Sequence, residues 1–133
     1  LDLPSEPYVA IQVVMMPRDT NPHGTIFGGV LLSYIDQAGA IAARRAVLQA
    51  GGPPPMLVTV AINRVEFTKP VHVGDVVRFV GRVVRLGRTS VTMHVHVEVD
   101  RGGEMLQVTE AELVYVGVDG ATPDRRPKPL LGS

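Results

Sequence analysis

The stretch that most constrains this chain runs from Met16 to Ala40, Met-Pro-Arg-Asp-Thr-Asn-Pro-His-Gly-Thr-Ile-Phe-Gly-Gly-Val-Leu-Leu-Ser-Tyr-Ile-Asp-Gln-Ala-Gly-Ala. It begins as a loop crowded with Pro, Asn, Gly and Asp, passes through the pair Gly28-Gly29, and continues as a long apolar segment carrying one carboxylate, Asp36. Thr25 is placed as an N-cap, its hydroxyl accepting from a first-turn N–H, so the helix is expected from about Ile26 to Gln49. The Gly51-Gly52-Pro53-Pro54-Pro55 block ends it. Phe27, Leu31, Tyr34, Ile35, Ala38, Ile41, Ala42 and Arg45 form one face by their spacing. Ser33, Gln37 and Arg44 fall on the opposite side. Asp36 belongs to neither set and shares a flank with Gly29, Leu32, Ala40 and Ala43, mostly small residues that allow close approach. A turn-rich loop, a helix start and an acid two turns further in have the layout of a reaction site.

The remaining segments read as strands. Tyr8 to Met15 is rich in β-branched residues and stops at Met16-Pro17. Leu57 to Phe67 places Val58, Val60 and Ile62 on one face, then Val65 and Phe67 out of phase, which predicts a bulge at Asn63-Arg64. Val76 to Leu86 follows Pro70 and Gly74-Asp75. Gly87-Arg88 turns into Ser90 to Asp100, where Val91, Met93, Val95, Val97 and Val99 alternate with polar residues over the whole length. Asp100-Arg101-Gly102-Gly103 leads to the last strand, about Glu104 to Val116. The order is strand, long helix, then four strands joined by short turns, which signal an antiparallel meander. One helix cannot cover both faces of such a sheet, so the expected fold is α+β, a curved five-stranded antiparallel sheet wrapped around the helix. The helix flank and the sheet edge are left for a symmetric dimer to cover.

Length and composition bound the rest. The 133 residues suit one domain, assigned to 1–118, with 119–133 as a flexible, mostly disordered tail. Thirteen basic and thirteen acidic side chains cancel, so no global field attracts nucleic acid or an anionic membrane. The absence of cysteine excludes thiolate chemistry and favours an intracellular, cytoplasmic home. The opening Leu-Asp-Leu-Pro-Ser-Glu carries no signal-peptide pattern, and Ile26 to Leu48, broken by Asp36, Gln37, Arg44 and Arg45, is a poor membrane span.

Once these elements are placed, the chain resembles the hotdog-fold acyl-CoA thioesterases, especially the group of cytosolic (brain-type) acyl-CoA hydrolases. The residues that carry the resemblance are Pro17-x-Asp19-Thr20-Asn21-x-x-Gly24-Thr25-x-Phe27-Gly28-Gly29 and then Asp36. Val58-Thr59-Val60, Phe67-x-x-Pro70-Val71-x-Val73-Gly74-Asp75 and Gly87-Arg88-Thr89-Ser90-Val91 add to it, so that it spans roughly residues 8–116. It implies hydrolysis of acyl-coenzyme A without metal or cofactor, coenzyme A entering only as part of the substrate. It also implies a site shared between two subunits, with Asn21 and Asp36 of one site from different chains, and dimers that assemble into tetramers or hexamers.

That chemistry suits the residues. A helix start offers unpaired N–H groups and a positive dipole end to a developing oxyanion, and Gly28 and Gly29 leave that backbone bare. Asp36 serves as general base on water or attacks directly to form an anhydride; Asn21 orients water or thioester. The plainer alternatives are a structural Asp36, close helix packing at Gly28-Gly29, and Asn21 as an Asx-turn former. Arg88, Thr89 and Ser90 offer a guanidinium and hydroxyls to the coenzyme A phosphates or pantetheine, with Arg64 and Lys69 as further candidates. Each of these is equally an exposed charge or turn residue. Leu32, Tyr34, Phe67 and Met93 are candidates for closing an acyl tunnel. His94 and His96 share a strand face at metal-like spacing without a third ligand, and read as surface or subunit-contact residues. Two other readings stand beside hydrolysis. In one, a hydroxyacyl dehydratase, His23 and Asp36 form the acid–base pair; in the other, a non-catalytic acyl-CoA sensor uses the same pocket.

Overall fold

The structure, a computed structural model, describes residues 6–121 and 123–132. Leu1–Ser5 at the expected domain start, and Thr122 and Ser133 of the expected tail, lie outside the described residues. Among the described residues five strands, β1 (Tyr8–Val14), β2 (Met56–Phe67), β3 (Val76–Leu86), β4 (Ser90–Arg101) and β5 (Glu104–Val118), form one antiparallel sheet around a single α-helix, α1 (Gly28–Gln49). The inward valines of β4 and Met93 between them are all sealed in the core against Leu31, Ile35, Ala38 and Ala42 of the helix. The helix packs tightly on β3, where a Cβ built on Gly81 would stand 2.6 Å from the Ala42 methyl.

The strand order is β1-β3-β4-β5-β2, which corrects the expected meander. Only β3, β4 and β5 follow one another; β2 sits on the far edge beside β5 and leaves β3 to pair with β1. What the sequence showed as a short turn at Pro70 and Gly74 is a crossing connection tied at several points. Thr68 N–H donates to the Val108 carbonyl, Ile26 N–H to the Val71 carbonyl and Met15 N–H to the Asp75 carbonyl. Arg101 reaches it from the end of β4, donating to the Pro70 carbonyl at 2.7 Å and to Asp75 Oδ2 at 2.8 Å.

The bulge expected at Asn63-Arg64 is present: register slips between Asn63 and Glu66, and Arg64 takes the left-handed backbone with φ 53°. A second slip, unforeseen, falls between Thr59 and Ala61. Leu57 packs against the core, Thr59 reaches Asp36 on the helix, and Val60 is left outside, 55% exposed. The helix face is also rotated from expectation. Gly39, Ala43, Ala46 and Val47 join the buried set, whereas Ile41 is 43% exposed. Arg45 packs its guanidinium over the Tyr8 ring at 4.3 Å.

The segment after Val118, read as a disordered tail, lies docked over its described part. Lys128 N–H donates to the Gly117 carbonyl, Leu130 N–H to the Arg88 carbonyl, and the Leu130 side chain is buried in the core cluster. The two leucines Leu130-Leu131 supply the apolar anchor that its polar, proline-rich composition masks.

Candidate active site

The loop before the helix is held by its own side chains. Asp19 Oδ2 accepts from the Met16 N–H at 2.9 Å, closing a one-turn 3-10 helix at Pro17–Asp19. Asn21 Oδ1 accepts from the N–H groups of His23 (2.8 Å) and Thr25 (3.2 Å), while its Nδ2 donates to Thr25 Oγ1 at 2.8 Å. This is the Asx-turn role of an asparagine in a Pro/Gly loop. Thr25 is therefore committed to the loop and does not cap the helix, which starts two residues later than expected with Phe27 at the N-cap. No side chain caps it. Val30 and Leu31 N–H turn back to the Phe27 carbonyl, and among the described residues no acceptor takes the N–H of Gly28 or Gly29. Those are the orphan donors of a helix start.

Around them lies an open cleft of about 320 Å³ lined by Thr25, Gly28, Leu31, Phe67, Lys69 and Val71, among others. The Phe67 ring stands over Gly28, and Phe67 and Phe27 are about half exposed, 50% and 53%. Gly28 and Lys69, picked separately from the sequence, thus share one cleft.

Asp36 sits two turns on, half-buried. Its Oδ1 accepts from Thr59 Oγ1 at 2.7 Å, and the Tyr115 hydroxyl lies 3.3 Å away while donating to the Asp36 main-chain carbonyl at 2.7 Å. Thr59 and Tyr115 are direct cross-strand partners on β2 and β5, so the sheet delivers both hydroxyls to one point on the helix. Among the described residues nothing bonds to Oδ2. The carboxylate is oriented through one oxygen and open at the other. Burial, and then the neighbouring Asp36 charge, push the Tyr115 phenol far above the usual tyrosine range, which keeps it a neutral donor.

Sequence reasoning singled out neither hydroxyl as a site residue. Thr59 carried a signal, a lone hydroxyl between Val58 and Val60; Tyr115 looked like any aromatic of a buried strand. The other candidates are scattered. Arg88, Thr89 and Ser90 form the turn into β4 against the C-terminal segment, where Gly117 N–H donates to the Thr89 carbonyl, and they lie outside the cleft. Arg64 is exposed on its bulge. Met93 and Tyr34 are core residues, Tyr34 packed on the Phe79 ring at 5.3 Å. His23 is exposed, and among the described residues no hydrogen bond or ion pair joins it to Asp36, so one protomer does not assemble the pair a dehydratase needs. On the outer sheet face His94 meets Glu110 at 3.0 Å and His96 meets Glu98 at 3.3 Å.

Comparison with known proteins agrees with this architecture. Residues 23–106 match the Thioesterase superfamily. The chain is 39% identical over 127 residues to the acyl-CoA thioester hydrolase YciA of Salmonella typhimurium, covering 92% of this chain and 89% of that one. Among solved structures it is similar to a hexameric thioesterase from Yersinia pestis (TM-score 0.80, 36% identity, 92% of this chain and 93% of that one). It is also similar to a hexameric hotdog-fold thioesterase of Campylobacter jejuni (TM-score 0.77, 39% identity, 90% and 87%). With a five-stranded antiparallel sheet wrapped around one long helix, the chain belongs to the hotdog-fold thioesterase superfamily.

Proposed function

We propose that this protein hydrolyses acyl-coenzyme A to the free carboxylic acid and coenzyme A, with Asp36 as general base and no cofactor. The observation that carries the reading is the carboxylate itself, fixed through Oδ1 by Thr59 and Tyr115 with Oδ2 left open. Relatives named acyl-CoA thioester hydrolases supply the substrate class. Oδ2 takes a proton from water as the water oxygen bonds to the thioester carbon. The resulting oxyanion accepts from backbone N–H groups. As the carbon–sulfur bond breaks, the thiolate of coenzyme A recovers the proton.

The length of the helix supports a second chain as the source of those N–H groups. Asp36 lies eight residues beyond Gly28, about 12 Å along the axis at 1.5 Å per residue. One carbonyl cannot touch both. A second copy paired along the outer edge of β2 would run antiparallel to the first and bring the partner's Gly28 and Gly29 toward Asp36. The free edge, Val60 outside it, and the half-exposed Phe27 and Phe67 support that seam. The unit is then a homodimer, and the hexameric relatives support three such dimers as the full assembly. Asn21 shapes the loop and keeps its second Nδ2 hydrogen for the thioester. Lys69 in the cleft, with Arg64, Arg88, Thr89 and Ser90 beyond it, is offered to the coenzyme A phosphates and pantetheine.

The test is thiol release from acyl-CoA esters of graded chain length. Wild-type protein should turn over, and Asp36→Asn should lose at least about a hundredfold in kcat with its assembly intact. An Asp36→Asn variant with undiminished turnover would remove the carboxylate from the chemistry. Binding without turnover by the wild type would mark a sensor instead.

A further inference from the structure

Tyr115 makes a contact that packing alone does not ask for. Its ring lies in the core, 1% exposed, and a phenylalanine would fill the same apolar space. The hydroxyl instead reaches the helix and donates to the carbonyl of Asp36, with Oδ1 at 3.3 Å. A mid-helix carbonyl already serves its own helix, so this second donor is an extra tie from the sheet. Room for it is made at Gly39, where a Cβ would overlap the phenol oxygen. Glycine is a poor residue for a helix interior, and here its missing methyl is the clearance that the hydroxyl occupies.

Resting on the reading of Asp36 as the base, we infer that Tyr115 is a positioning residue for it. The phenol holds the helix at Asp36 and, with Thr59, turns the carboxylate so that Oδ2 faces the substrate. Gly39 is the third part of the device. Tyr115 is held in its protonated, donating form, since burial and the Asp36 charge both oppose its ionisation.

Three variants test this against a role in packing. Tyr115→Phe should lower kcat roughly five- to tenfold, the scale of one hydrogen bond, with KM unchanged within about twofold. Gly39→Ala, which drives the hydroxyl away while keeping it, should lower kcat in the same way. In the double variant the overlap with the hydroxyl is gone and the added methyl stands 3.0 Å from the ring edge, so thermal stability should recover in part while kcat does not. Recovery of kcat together with stability would overturn the inference and reduce Tyr115 to packing. In the Asp36→Asn background, Tyr115→Phe should have no further effect on kcat. Full activity of Tyr115→Phe beside an inactive Asp36→Asn would defeat the positioning role alone, whereas an active Asp36→Asn would defeat the base beneath it.

Discussion

The carboxylate of Asp75 is pulled two ways. Burial raises its pKa, but the Arg101 guanidinium at 2.8 Å and the His72 N–H at 2.8 Å favour the charged form, and the net position is below the ordinary 3.8. A carboxylate held low in the fold contributes stability that is present above its unfolded value and lost as pH falls through the folded one. Asp75→Asn should therefore cost on the order of 1–3 kcal/mol at pH 7. Chemical denaturation at successively lower pH should show the gap to wild type closing below about pH 3.8; a gap that persists at acid pH would place the stabilisation elsewhere. Asp75 was visible in the sequence as part of a Gly-Asp turn and of the motif Phe67-x-x-Pro70-Val71-x-Val73-Gly74-Asp75, with no sign of its partner. Its partner Arg101 lies in another turn, and no local pattern joins the two. The same holds around Asp36. The acid stood out because it fitted neither helix face, yet the hydroxyls that orient it come from residues 23 and 79 positions away.

Among the elements, β4 was legible because its strict alternation leaves one solution, a strand with one face buried. The helix was placed nearly right but started and rotated wrongly, since Thr25 had a better partner in Asn21 and small residues buried themselves where larger ones were expected. The position of β2 was not legible at all. Strand pairing depends on which edge is free once the others have paired, and alternation within a segment is silent on that. Close helix–sheet approach was equally hidden, and it has a consequence that can be measured. Gly81→Ala places a methyl 2.6 Å from that of Ala42, so it should destabilise by about 1–3 kcal/mol through overpacking. In an Ala42→Gly background the same change should cost clearly less. Equal costs in both backgrounds would mean that the two residues do not meet.

For the whole molecule the proposed seam is the feature to break. Val60 faces outward on the free edge of β2, and a lysine on a sheet edge opposes pairing with another chain. Val60→Lys should convert the assembly to monomers by light scattering. It should also reduce kcat by at least about a hundredfold, the scale set by losing an oxyanion donor. Monomers that keep full turnover would show that each chain holds a complete site. Hotdog architecture, the helix and its acid were within reach of the sequence; the proposed division of labour between two copies, implied there by resemblance alone, gains support from the length of helix separating Asp36 from Gly28.

The edge position of β2 also bears on how the protein is made. Met56 pairs with Val118, about 60 residues later, and among the described residues β2 has no other neighbour in its own sheet. A nascent chain therefore carries a finished β2 that cannot dock until the last strand has left the ribosome. Contacts so distant in sequence close slowly. Pairing at the proposed seam would then follow the docking of β2 on β5, so closure of that long-range pair would set the pace of assembly.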